Sequence, residues 1–201
     1  ACRVLSSTGT DTYSAISAAI GSLKGPRHGG ANIKVEEMFE NIKTNVPNPK
    51  DDGQISDYLL KILKGEANDG SGLIYGMGHA VYTLSDPRAV MLKRYVRSLA
   101  EKKGFLDDFE LLERIERLTP QVFNEYKKTD KAICANVDLY SGLVYRMLGI
   151  PVELYTPLFA VARVAGWCAH RMEEYVTARR IIRPGYKCIE RPRQYKPLDE
   201  R

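Results

Sequence analysis

Apolar residues recur at three- and four-residue steps along most of this 201-residue chain, the spacing that lines up one face of a helix. The clearest case is Val90, Leu92, Tyr95, Val96 and Leu99. Asp86-Pro87 precedes them with an N-cap acceptor and a first-turn proline, and Gly104 follows as a stop. Phe109, Leu112, Ile115, Leu118 and Val122 keep the period, with Thr119-Pro120 expected to kink that helix or begin a new one. Residues 139–148 form another candidate, ended by Gly149-Ile150-Pro151. Thr156-Pro157 repeats the start signal ahead of Leu158, Val161, Ala165, Cys168 and Met172. Residues 35–42 and 57–63 predict shorter helices. Two-residue alternation, the mark of a half-buried strand, is almost absent. The pattern predicts an all-α fold.

Composition narrows the class. At 44% hydrophobic, 27% charged and 9% aromatic, the chain matches ordinary globular proteins and has material for one domain or two small ones. No apolar run approaches the length of a membrane span, so no membrane partner is expected. The net charge of +5 suits anionic partners. Acids are interleaved with the bases, and neither a basic tail nor an aromatic-interleaved stripe is present, which argues against nucleic acid. Cys2, Cys134, Cys168 and Cys188 make no C-x-x-C pair and read as buried apolar residues of a reducing compartment. With three histidines in all, no metal site is expected. Ala1-Cys2-Arg3-Val4 reads as an internal start, so the chain is expected to be a piece of something longer.

The polar or Gly/Pro-rich intervals are 24–32, 44–53, 65–77, 127–132 and 183–195, and the histidines lie at or near them or at helix ends. Gly25-Pro26-Arg27-His28-Gly29-Gly30-Ala31-Asn32 puts two glycines after a histidine, so backbone can approach whatever the imidazole faces; a plain helix-connecting turn is the other reading. Gly76-Met77-Gly78-His79-Ala80-Val81-Tyr82 repeats the idea, and Asp86-Pro87-Arg88 then supplies a planar guanidinium suited to a carboxylate. A solvated surface role is the alternative for Arg88. Asp138, in Asn136-Val137-Asp138-Leu139-Tyr140-Ser141-Gly142, is either an N-cap or a partly buried general base. Arg163 interrupts an apolar helical stretch and must be paired or presented to a ligand. His170-Arg171 reads as surface or core structure, and Glu190-Arg191-Pro192-Arg193-Gln194-Tyr195 as a basic terminal segment.

Taken in order, G-P-x-H-G-G-A-N, G-x-G-H-A-V-Y…D-P-R, N-V-D-x-Y-S-G, F-x-V-A-R-x-x-G-W and R-P-R-Q-Y resemble the carboxy-terminal part of the citrate synthase family over essentially the whole chain. The resemblance implies condensation of acetyl-CoA with oxaloacetate to citrate and CoA, with acetyl-CoA as cosubstrate, no permanently bound cofactor and no metal. It implies His28 as hydrogen-bond donor to the thioester carbonyl, His79 as polariser of the oxaloacetate ketone and Asp138 as the base that deprotonates the acetyl methyl. Arg88, Arg163 and Arg191 would bind carboxylates, Arg191 reaching across a homodimer interface into the partner's site. Ile74, Tyr75, Gly76, Met77 and Gly78 would meet the adenine part of CoA. The implied domains are a large-domain segment 1–30, an inserted small domain 31–149 and a large-domain segment 150–201, the amino-terminal half of the family fold being absent. Such a fragment is expected to have little or no turnover by itself. 2-Methylcitrate synthase, using propionyl-CoA, shares the motifs; a noncatalytic helical scaffold or degenerate paralogue is the alternative of another class. The expected compartment is the cytoplasm, with the mitochondrial matrix as the alternative because a targeting segment would lie upstream.

Overall fold

A computed structural model describes residues 1–25, 28–177, 180–185, 187, 189–191 and 193–200. Among these the helices run α1 (Cys2–Ser6), α2 (Thr12–Leu23), α3 (Ala31–Asn45), α4 (Asp52–Lys64), α5 (Pro87–Lys103), α6 (Leu106–Lys127), α7 (Asp138–Met147) and α8 (Tyr155–Thr177), with short 3-10 turns at Val152–Leu154 and Leu198–Glu200. The described residues contain no strand, only an isolated bridge between Met77 and Ala135. The all-α expectation holds.

Local chemistry explains the boundaries. The Asp51 carboxylate accepts from the N–H groups of Gly53 and Gln54 to start α4, and Gly65 ends it in the left-handed region. Asp86 accepts from the Arg88 N–H, Pro87 occupies the first turn and Gly104, at φ 78°, stops α5 where the pattern placed its end. Two start signals are corrected: Pro120 begins no new helix, and Thr156 is not the residue before α8. α6 continues through Thr119-Pro120 without a new start: the Thr119 hydroxyl donates to the Ile115 carbonyl at 2.6 Å, and a buried apolar face keeps the helix together across the missing proline N–H. α8 already begins at Tyr155, so Thr156 lies inside the first turn, where its hydroxyl donates to the Gly29 carbonyl at 2.9 Å instead of capping.

The chain divides into two compact units, residues 20–165 and residues 1–19 with 166–201. The core of the first is built by α3 to α7, where Met38, Phe39, Ile42, Ile55, Leu59, Phe109, Leu112, Ile115, Leu139, Tyr140 and Leu143 are buried together. Burying each large side chain contributes roughly 1.5–3 kcal/mol, so this cluster is what fixes the helices that carry the loops described below. In the second unit Cys2, Ala15 and Ala19 pack with Leu5, Ile16 and Trp167. Arg171 there is buried, donating to the hydroxyls of Ser6, Thr12 and Tyr175 and to the Thr10 carbonyl, so its role is structural. Of the cysteines expected to be buried, Cys2 is; Cys134 and Cys168 are half-buried, because each faces a loop or helix side that the core does not cover, and Cys188 lies outside the described residues. Among the described residues no helix is long and apolar enough to cross a membrane.

Candidate active site

Five of the six predicted side chains fall in the unit of residues 20–165, on four separate segments. His28 sits in the turn between α2 and α3. Its N–H donates to the Gly25 carbonyl at 2.9 Å, and the Gly29 N–H donates to the Leu23 carbonyl at 2.8 Å. A Cβ on Gly29 would stand 2.5 Å from that carbonyl oxygen, so the turn closes this tightly only with glycine. The His28 ring meets Phe159 of α8 edge-on, with centroids 5.9 Å apart, and the Arg163 guanidinium lies 5.1 Å from the same ring.

His79 and Arg88 are held by hydrogen bonds. The Nδ1 atom of His79 accepts from the backbone N–H groups of Val81 at 3.0 Å and Tyr82 at 3.2 Å, which assigns the ring proton to Nε2. Arg88 donates to Asp86 through Nε at 3.0 Å and Nη2 at 2.7 Å, and Nη2 lies 3.5 Å from His79 Nε2. The Asp86 carboxylate is buried, and the Arg88 hydrogen bonds hold it below the usual carboxylate range. The Tyr82 ring packs against both partners, 4.9 Å from the His79 ring and 5.4 Å from the guanidinium.

Asp138 opens α7 as its first helical residue. The N-cap reading is therefore corrected: the residue before the helix is Val137, and it is Asn136 whose Oδ1 accepts from the Asp138 N–H at 3.0 Å. The carboxyl is freed from capping and half-buried. Burial pushes its pKa above the ordinary value, while Arg88, His28 and His79 pull the other way and Asp86 adds to the rise. His28, His79, Arg88 and Asp86 all act electrostatically on this one carboxyl, so three stretches far apart in sequence, at residue 28, residues 79–88 and residue 138, lie within reach of one another's charge.

The stretch Ile74, Tyr75, Gly76, Met77 and Gly78 is stitched to the segment leading into α7. The Gly78 N–H donates to the Cys134 carbonyl at 2.7 Å, the Asn136 N–H to the Gly76 carbonyl at 2.9 Å and the Asn136 side-chain amide to the Gly78 carbonyl at 2.9 Å. Gly76 has φ +80°, and a Cβ there would stand 2.9 Å from Leu139. Upstream, the Tyr75 hydroxyl donates to Asp69, whose pKa is lowered to about 2 by hydrogen bonds from Ser71 and Tyr75 and by Lys34. Arg191 belongs to the other unit, in an exposed segment. Asp86, Asn136 and Tyr82 are site residues that the motif reading did not single out; the buried position of an acid two residues before Arg88 was the available signal. Among the described residues no group of three or more His, Cys, Asp or Glu side chains could hold a metal ion.

Residues 1–185 match the family model described as citrate synthase, C-terminal domain. The chain is 40% identical over 200 residues to citrate synthase of Synechocystis sp., covering 99% of this chain and 46% of that protein. It is 37% identical over 201 residues to 2-methylcitrate synthase 1 of Corynebacterium glutamicum, covering 99% and 47%. Its fold matches citrate synthase of Thermoplasma acidophilum, solved as a ternary complex with carboxymethyl coenzyme A and oxaloacetate, with a TM-score of 0.77 and 34% identity over 100% of this chain and 50% of that one. The chain thus spans about half the length of the relatives it matches. A carboxyl faced by two histidines and an arginine, in an all-α frame with these likenesses, places the chain in the citrate synthase family.

Proposed function

We propose that this chain supplies the base and both catalytic histidines of an enzyme that condenses acetyl-CoA with oxaloacetate to give citrate and CoA. The observation that carries the reading is the Arg88 guanidinium 3.5 Å from His79 Nε2, with both groups and His28 close enough to favour the charged form of the half-buried Asp138 carboxyl. A thioester α-proton is a very weak acid, so the base must be strong when ionised and the enolate oxygen must be stabilised as it forms. Burial makes the Asp138 carboxylate the more basic, and it takes the proton from the acetyl methyl. His28 donates to the thioester oxygen; one such preplaced donor is worth about 3–4 kcal/mol. His79 presents Nε2–H to the ketone of oxaloacetate, its Nδ1 being occupied by two backbone donors. Arg88 and Arg163 neutralise the carboxylates of the dianion, and Arg191 completes the set from the second copy of a homodimer. Ile74, Tyr75, Gly76, Met77 and Gly78 offer backbone to the adenine of CoA. Residues 31–149 form the small domain of the complete enzyme and 1–30 with 150–201 part of its large domain.

The acyl group divides the family. Curated relatives called 2-methylcitrate synthase include ones 36% and 37% identical, and ones called citrate synthase include 38% to 41%, too close to separate acetyl-CoA from propionyl-CoA, since one methylene is worth only about 1–3 kcal/mol in a pocket. Comparing kcat/KM for the two thioesters decides. In the full-length protein, CoA release is expected to require oxaloacetate, and Asp138→Asn is expected to lower kcat by about 10²–10⁴-fold while oxaloacetate still binds. The 201 residues alone are expected to give little or no turnover. Undiminished kcat in Asp138→Asn, or a full-length protein that binds neither oxaloacetate nor CoA, would overturn the reading, the latter in favour of a noncatalytic scaffold.

A further inference from the structure

Beneath the site lies a polar cluster that the reaction scheme above does not use. Tyr140 of α7 is fully buried, and its hydroxyl donates to Glu116 Oε2 of α6 at 2.5 Å. Lys93 of α5 donates to the same oxygen at 2.7 Å, reaches Glu113 Oε1 at 3.1 Å and lies 5.7 Å from the Tyr140 ring. One carboxylate oxygen therefore takes a donor from each of the two helices that carry site residues at their first turns: Arg88 on α5 and Asp138 on α7. Glu116 also stands four residues before Pro120, so within a continuous helix the carbonyl of the residue that ties its neighbours together lacks its usual i+4 N–H donor.

We propose that Tyr140 and Glu116 are positioning residues that set how close Asp138 stands to Arg88, and through that separation how readily the base takes its proton. Tyr140 follows Asp138 by two residues, within the same turn, so a shift at one end of that turn is a shift at the other. Burying a tyrosine hydroxyl against a glutamate is costly unless the bond is made, and that cost holds the register of α7. The groups facing Tyr140 are Glu116, Glu113 and Lys93; those facing Asp138 are Arg88, His28, His79, Asp86 and Tyr145. Moving Asp138 away from the guanidinium removes a favourable charge, so its titration moves to higher pH.

The inference rests on Asp138 being the base of a condensing enzyme, and the test separates the two. In the full-length enzyme, Tyr140→Phe keeps the ring and removes the hydroxyl. The expected result is a kcat about tenfold lower, the scale of a sub-ångström misplacement, with KM for oxaloacetate little changed and the acidic limb of the kcat profile displaced to higher pH. Glu116→Gln keeps an acceptor oxygen for Tyr140 and should fall between Tyr140→Phe and the unaltered enzyme in both readouts; it also serves if Tyr140→Phe does not fold. A lowered melting temperature with unchanged kcat and unchanged acidic limb in the folded variants would reduce the cluster to packing and overturn the proposal. An unaltered enzyme that releases no CoA would instead sink the proposed reaction.

Discussion

Two segments of this protein set a histidine beside an arginine, and they do it by different physical means. His79 and Arg88 are caught in directional bonds: two backbone N–H groups on Nδ1, and a buried carboxylate that grips the guanidinium at two nitrogens. His28 and Arg163 meet through a ring, each against Phe159. Charge-assisted hydrogen bonds fix direction as well as distance, whereas an edge-on aromatic contact favours one orientation with less energy. The first pair thus has one orientation built into it, as the proposed binding of a keto acid requires. The second is held by contacts that are weaker and less directional.

The contrast can be broken experimentally, most sharply at Asp86. Asp86→Ala leaves the Arg88 guanidinium without its grip, and KM for oxaloacetate is expected to rise about tenfold or more, the scale of losing a hydrogen bond to a charged group. An unchanged KM in steady-state assays would mean that Arg88 finds its direction unaided. Gly29→Ala tests the turn under His28. A methyl 2.5 Å from the Leu23 carbonyl and 3.1 Å from the Thr156 methyl should destabilise the protein by about 1–3 kcal/mol in denaturant titration, with no such cost if the turn relaxes. Asp138, which feels the charge of His79 and Arg88 from the first pair and of His28 from the second, gives a prediction of opposite sign. Its pKa is raised by folding, so the folded protein holds the proton more tightly than the unfolded one, and stability falls as pH rises from 3.8 through the raised value. Asp138→Asn should therefore raise Tm near neutral pH, the advantage vanishing as pH falls toward that lower limit; a lower Tm at neutral pH would show that Arg88 and the histidines outweigh burial. The smallest effect is expected at Phe159→Leu, about two- to threefold in kcat/KM, the low end of an aromatic contact. A loss matching Asp86→Ala would erase the distinction between the two pairs.

Much of this was legible because it is local. α5 reads directly from Asp86-Pro87 to Gly104, since cap, first-turn proline and left-handed stop are all written within one helix. The motif residues His28, His79, Arg88 and Asp138 were likewise visible as types at fixed spacing. What the pattern concealed depends on partners distant in sequence. Pro120 signals a break, yet the α6 face packed into the core overrides it. Thr156 signals a cap, yet its hydroxyl is taken by Gly29, 127 positions away. Asp138 has the chemistry of a cap, but it lies inside the first turn, where its own N–H donates to Asn136 and its carboxyl is left available. The bond between Tyr140 and Glu116 spans 24 positions and two helices, with nothing in either neighbourhood to announce it.

The stitching between residues 76–78 and 134–136 has a mechanical corollary. Hydrogen bonds run both ways across it, and Asn136 stands two residues before Asp138 while Gly78 immediately precedes His79. His79 and Asp138 consequently travel as a single cog. Under the proposed reaction, a motion that changes the distance from that cog to His28 would leave the spacing of His79 and Asp138 as it is.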